Sequence, residues 1–193
     1  MNAEQTINKI VVVGPESTGK STLCRQLASQ YHSVWCPEYA REYLLKNGTN
    51  YTFENLLEIA KGQITLEDKA TNQLSQQLLQ NANHSGSVQT KPYLFIDTDM
   101  YVMKVWCEFV FGKCHTWILD RIVERKYDLY LLCKPDLPWV KDELREYPDE
   151  ATRIRLYHHY RELLSQQNVP WVEISRLEED RLKKAVEAVD SYL

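Results

Sequence analysis

Short apolar runs recur along the chain at residues 9–13, 33–36, 92–96, 128–133 and 170–174, each bounded by polar or turn-forming residues. Runs of that length are short for globular helices and have the make-up of strands buried on both faces. Between them lie longer segments whose apolar positions return at helical spacing, at 20–31, 38–46, 53–80, 100–111, 115–125, 149–167 and 178–192. The last opens on a capping-box pair, Ser175 with Glu178 three residues on. Wholly apolar strands separated by helices predict an α/β fold, a five-stranded parallel sheet covered by helices on both faces. In such sheets ligands sit beyond the carboxyl ends of the strands, so function is expected just after each apolar run.

The chain has 193 residues, 44% hydrophobic and 26% charged, the make-up of a globular unit, and one domain spanning residues 1–193 is expected. No repeat or low-complexity linker interrupts it, and the polar stretch at 81–90 reads as a surface loop. With 23 Lys and Arg against 27 Asp and Glu, the net charge is −4. No overall positive field favours nucleic acid or anionic lipid, so neither partner is expected and an anionic ligand needs a local site. The longest apolar stretches, such as 10–13 and 129–133, are far too short to span a bilayer, and the N-terminus lacks a signal-peptide core. A cytoplasmic location follows as an expectation. The five cysteines, Cys24, Cys36, Cys107, Cys114 and Cys133, are odd in number and lack a CxxC pair, which reads as reduced core thiols. Cys107, Cys114 and His115 lack the second ligand pair a zinc site needs.

Directly after the first apolar run stands Gly14-Pro15-Glu16-Ser17-Thr18-Gly19-Lys20-Ser21, which fits G-x-x-x-x-G-K-[ST], with Thr22 following inside a helix pattern. The glycines let the backbone wrap a phosphate so that successive N–H groups and a helix N-terminus point inward. Gly14, Glu16, Ser17, Thr18, Gly19, Lys20, Ser21 and Thr22 are therefore the expected ATP-binding set, with Lys20 on the β- and γ-phosphates and Ser21 on magnesium. Such a loop leaves open whether the phosphoryl group passes to water or to a substrate.

The other strand ends bear on that choice. After the second run, Glu38-Tyr39-Ala40-Arg41 places a carboxylate and an arginine at spacing three, either as a site acid beside the phosphate loop or as a surface ion pair. The third run ends in Asp97-Thr98-Asp99, so Asp97 takes the magnesium-orienting position. Asp99 either hydrogen-bonds ribose hydroxyls or caps the helix that begins at Met100. After the fourth run comes a Pro-punctuated stretch from Lys134 to Pro148, carrying Lys141 and Arg145, with Arg153 and Arg155 beyond. It reads as a lid whose arginines neutralise transferring charge and exclude water, or as a solvated charged segment. Trp35, Tyr39, Tyr43, Tyr101, Trp106, Trp117 and Trp139 offer flat faces for a ring, though core packing explains most aromatics.

Taken together, the loop, the segment Glu38-Tyr39-Ala40-Arg41-Glu42, the string Phe95-Ile96-Asp97-Thr98-Asp99, the turn Gly112-Lys113-Cys114-His115 and the lid Trp139-Val140-Lys141-Asp142-Glu143-Leu144-Arg145 resemble the nicotinamide riboside kinases of the NadR type. The resemblance spans nearly the whole chain. It implies a P-loop, nucleoside-kinase-like fold with a helical lid, using ATP and magnesium to phosphorylate the 5′-hydroxyl of nicotinamide riboside. It makes Glu38 the base or hydroxyl-orienting group, Asp97 and Ser21 the metal partners, and Arg145 and Arg153 the lid charges; with Lys20 these form the expected catalytic set, and the strand-end and aromatic positions make Trp35, Glu38, Tyr39, Arg41, Asp99 and Trp106 the expected substrate contacts. Some relatives also carry a DNA-binding segment and an adenylyltransferase domain, which are not expected here because so little chain precedes the first strand. Some members place a tryptophan just before the glutamate, where this chain has Pro37, with Trp35 two residues earlier on the same strand face. Another nucleoside or nucleotide as acceptor, or an ATP-hydrolysing switch module, remains an alternative. ATP against GTP, the oligomeric state, and the adenine contacts near Ser175 and Arg176 stay open.

Overall fold

The computed structural model describes residues 6–82, 91–175 and 178–193. The chain runs β1 (Asn8–Val13), α1 (Lys20–Gln30), β2 (Val34–Cys36), α2 (Tyr39–Asn47), α3 (Phe53–Ala82), β3 (Tyr93–Asp97), α4 (Met100–Phe111), α5 (Thr116–Glu124), β4 (Leu129–Cys133), α6 (Glu150–Ser165), β5 (Trp171–Ile174) and α7 (Glu178–Tyr192). Every predicted strand and helix is present within a few residues of its expected bounds. The Glu178 side chain of the expected capping pair and residues 83–90 of the expected loop lie outside the described residues.

All strands are parallel in the order β2-β3-β1-β4-β5. The apolar runs explain why. Ile10, Val11, Val12 and Val13 are all fully buried, because successive side chains point to opposite faces and both faces are covered. Burying each such side chain contributes about 1.5–3 kcal/mol. On one face Ile10, Val12, Phe95 and Leu131 pack with Leu23, Cys24 and Leu27 of α1 and Ala185 and Val189 of α7. On the other, Val11, Val13, Ile96 and Leu132 pack with Leu74, Val105, Leu156 and Tyr160. A further apolar cluster joins α2, α3, α4 and α5 through Leu44, Leu56, Ile59, Met103 and Ile118.

The register aligns Val12 with Asp97 and Cys36 with Ile96, so β1, β2 and β3 end at one edge. The chain leaves β1 for α1 on one face and β3 for α4 on the other, which opens a crevice between these central strands. The five thiols are free, and all but Cys114 are buried. Among the described residues no helix is long and apolar enough to cross a membrane.

Candidate active site

The crevice is a cavity of about 490 Å³ that runs from the phosphate loop, residues 14–22, to a wall of aromatic side chains. At its phosphate end the backbone turns sharply. Gly14 has φ +140°, and a Cβ there would stand 2.6 Å from the Cys133 carbonyl oxygen of β4. Gly19, at φ 77°, is the N-cap of α1 and supplies no side chain to it, so the first amides of the helix are left to an incoming anion. The Lys20 ammonium donates to the Pro15 carbonyl at 2.9 Å, and the Thr18 hydroxyl donates to the same oxygen at 2.8 Å. Thr18 thus braces the loop with its side chain and offers only its backbone to phosphate.

Glu16 also has a different side-chain role from that expected. Its carboxylate lines the cavity but accepts from the backbone N–H groups of Glu146 at 3.0 Å and Tyr147 at 3.1 Å, so its side chain holds the lid. Two consecutive amides aimed at one carboxylate make a better partner for it than a triphosphate, which would repel it. Burial raises its pKa, and the two amide bonds oppose that rise.

Asp97, at the end of β3, is 1% exposed, and neither carboxylate oxygen has a hydrogen-bond partner among the described residues. Burial above all, and then the Glu38 carboxylate, push its pKa up to about 6, against the pull of Lys20 and the neighbouring Ser21 hydroxyl. An unpartnered buried carboxylate is costly, and a hard divalent cation is its natural partner. Asp97 and Ser21 line the same cavity, and oxygen donors alone suit magnesium, so these residues fit the expected metal.

The next residue, Thr98, has φ 82° although it is β-branched and buried. Such a conformation costs about 1–3 kcal/mol and is held only where the surroundings impose it. Its hydroxyl donates to Glu38 Oε1 at 3.4 Å, so the bend joins the two strand ends. Glu38 is the N-cap residue of α2, but its own side chain makes no capping bond and lines the cavity instead.

Asp99, expected as a substrate contact or a helix cap, does not line the cavity. It is 1% exposed and caps α4, accepting from the Tyr101 and Val102 N–H groups at 3.0 and 3.2 Å. Its second oxygen accepts from the Tyr130 hydroxyl at 2.9 Å. Burial pushes its pKa up to about 7, with the Tyr130 bond opposing. Of the two expectations for Asp99, the helix cap is the one the structure shows.

The lid, residues 134–149, is irregular and not helical; α6 begins only at Glu150, capped by Asp149 through the Thr152 N–H at 2.7 Å. Pro135, Pro138 and Pro148 withhold amide donors and bias the residues before them away from the helical region. The lid is latched over the phosphate loop, with the Val140 N–H donating to Ser17 Oγ at 3.0 Å and Arg145 reaching the same oxygen at 3.4 Å. Arg145 lines the cavity as expected. Arg153 does not: it is 5% exposed and donates to the Leu137 carbonyl at 3.5 Å, propping the lid from behind. Helical spacing is the reason, since Arg153, Leu156, Tyr157 and Tyr160 form the buried stripe of α6.

Arg41 lines the cavity but pairs with Asp142 of the lid, at 3.1 and 3.3 Å, and not with Glu38. Tyr39 is absent from the cavity wall; its ring lies against α3 at Gly62, a position where any Cβ would collide with it. Trp35 and Trp106 do line the wall, and the Trp106 indole N–H donates to Tyr51 at 2.9 Å. Phe109, Tyr147, Tyr160 and Arg25 are among the lining residues that were not expected. Phe109 was findable, because Val102, Val105, Trp106 and Phe109 fall at positions i, i+3, i+4 and i+7 of α4. The expected adenine contact Arg176 lies outside the described residues.

The comparisons agree with this architecture. The "Trifunctional NAD biosynthesis/regulator protein NadR" of Escherichia coli (strain K12) is 26% identical over 184 residues, covering 95% of this chain and 42% of its own length. The chain therefore spans less than half of the curated relatives it matches. A NadR protein in complex with NR superposes with a TM-score of 0.75 at 21% identity, over 96% of this chain and 49% of the other, and one in complex with NAD and AMP-PNP gives 0.69 with the same identity and coverage. A thymidylate kinase from Ehrlichia chaffeensis superposes at 0.61 with 13% identity, over 97% of this chain and 99% of the other. The fold is thus one that this chain shares with those NadR structures and with a thymidylate kinase. A family model described as "AAA domain" matches residues 9–181, from β1 through the phosphate loop, Asp97 and the lid into α7, and the chain belongs to that AAA domain family.

Proposed function

We propose that the protein is an ATP- and magnesium-dependent kinase that phosphorylates the 5′-hydroxyl of nicotinamide riboside to the mononucleotide. The observation that carries the reading is one cavity whose lining joins the phosphate loop, Glu38 and Asp97 to the aromatic side chains of Trp35, Trp106, Phe109, Tyr147 and Tyr160. A triphosphate on the loop would place its terminal phosphoryl group near Lys20, with the acceptor alcohol on the Glu38 side. The wall suits a planar ring, and a cationic one gains further from aromatic faces. The likeness to NadR, whose name ties it to NAD biosynthesis, supports this acceptor over other nucleosides.

Glu38 accepts the hydroxyl proton at its carboxylate as the oxygen attacks, or orients that hydroxyl if the transition state is loose. Lys20 and Arg145 stabilise charge on the transferring group. The latched lid keeps water from the phosphoryl group and favours transfer over hydrolysis. Magnesium, held by Asp97 and Ser21, would neutralise phosphate oxygens.

The test is ADP release from ATP and magnesium with and without nicotinamide riboside, with the mononucleotide identified by chromatography and Lys20→Ala as the blank. Riboside-dependent product that falls by at least about 10²-fold in Lys20→Ala is the expected result. ADP release indifferent to the riboside refutes the substrate and leaves the ATP-hydrolysing alternative.

A further inference from the structure

The mechanism leaves unused a polar side chain buried beside it. Gln63, in the middle of α3, is 1% exposed and does not line the cavity. Its Oε1 accepts from the Tyr39 backbone N–H at 2.7 Å. Its amide nitrogen donates to the Pro37 carbonyl at 3.2 Å and the Asp97 carbonyl at 3.4 Å, with Cys36 Sγ at 3.6 Å. The Tyr39 N–H can only donate, which fixes which way the amide points.

Pro37 and Tyr39 flank Glu38, so one side chain holds the peptide groups on both sides of the glutamate and ties them to the strand end that carries Asp97. Tyr39 is the first residue of α2, whose opening amides have no partner within the helix. A helix normally meets such groups with the side chain of its own N-cap residue. Here Gln63 satisfies one of them from a separate helix, and the N-cap residue keeps its carboxylate for the cavity. Gly62 makes this possible: only a residue without Cβ lets α3 approach until the Tyr39 ring occupies the space where a Cβ would lie, 2.0 Å from the nearest ring atom.

We infer that Gln63 is a positioning residue for phosphoryl transfer, setting the placement of Glu38 relative to Asp97 by capping α2 from outside. The inference rests on the kinase reading above. A clamp of this kind acts on the transition state, where misplacing a reacting group by about 1 Å costs on the order of 10²-fold. Because Gln63 does not line the cavity, ground-state affinity for ATP is expected to change little.

The experiment is a double-mutant cycle of Gln63→Met with Glu38→Gln, measuring kcat and KM for nicotinamide riboside together with ATP affinity. Gln63→Met, close in volume but without hydrogen bonds, is expected to lower kcat about tenfold or more with ATP affinity within about twofold of wild type. If Gln63 acts through Glu38, the double variant is no slower than Glu38→Gln alone. Gln63→Asn, too short to span both Pro37 and Tyr39, is the second variant should the first not fold, with the same expectation. A purely structural role predicts a lowered melting temperature with kcat per folded enzyme preserved, or losses that multiply in the double variant; either overturns the inference. Wild type inactive on the riboside overturns the kinase reading and this inference together, whereas an active wild type with an unaffected or multiplicative Gln63 variant overturns this one alone.

Discussion

Asp97→Asn is expected to make the protein more stable and inactive at once. The carboxylate is ionised near neutral pH in a site that buries it and, among the described residues, gives neither oxygen a hydrogen bond. Its pKa stands at about 6 against an ordinary 3.8, and about 1.4 kcal/mol per unit puts the cost of ionisation at up to about 3 kcal/mol. An asparagine removes the buried charge but leaves an amide with few partners, which takes back about 1 kcal/mol. The net gain is about 1–2 kcal/mol, or a melting temperature higher by roughly 2–8 °C for a chain of this size. The pH dependence has a definite sign. A pKa raised in the folded state means stability that is complete in acid below the unfolded value and lost as pH rises through the folded one. The advantage of Asp97→Asn over wild type is therefore largest above about pH 6 and shrinks toward pH 4. Differential scanning fluorimetry without magnesium across that range measures it, with mononucleotide formation measured alongside. A melting temperature for Asp97→Asn below wild type at neutral pH, or a difference that does not change with pH, would refute the reasoning.

Glu38→Gln keeps the cavity shape and removes the proton acceptor, so turnover falls by about 10²- to 10⁴-fold with ATP affinity retained; a loss under about tenfold in stopped assays means orientation alone. Gly14→Ala puts a methyl group 2.6 Å from the Cys133 carbonyl at φ +140°, which costs about 2–4 kcal/mol and lowers the melting temperature by roughly 5–15 °C; a thermal scan within about 2 °C of wild type contradicts the close approach. Arg41→Ala breaks the pair with Asp142 that joins α2 to the lid. Because that pair is largely exposed, stability changes little, while hydrolysis relative to transfer rises about three- to tenfold as water enters; an unchanged ratio of ADP to mononucleotide counts against the latch.

Much of this protein is legible along the chain, because the information lies within a few residues. Four consecutive buried side chains at 10–13 followed by a glycine-rich loop and a lysine say strand, phosphate site and helix, since the pleat, the turn and the helix N-terminus are all local geometry. Glu38 and Asp97 could be placed in the site for the same reason: a parallel sheet brings its strand ends to one edge whatever the intervening helices contain.

Which way a side chain turns at that edge was decided only by partners distant in sequence. Asp97 and Asp99 lie two residues apart, yet one is left unpartnered in the cavity and the other is consumed by the α4 amides and Tyr130. Glu16 sits in the phosphate loop but answers the amides of Glu146 and Tyr147, 130 and 131 residues away. Arg153 is withdrawn behind the lid because the buried stripe of α6 falls on it, and Gln63 matters because α3 passes the start of α2 closely enough to complete its hydrogen bonds. Local periodicity assigns each residue an element and a face. The pairing of buried polar groups, each of which must find a partner or hold a ligand, is a property of the packed chain as a whole, and only the tertiary structure fixes it.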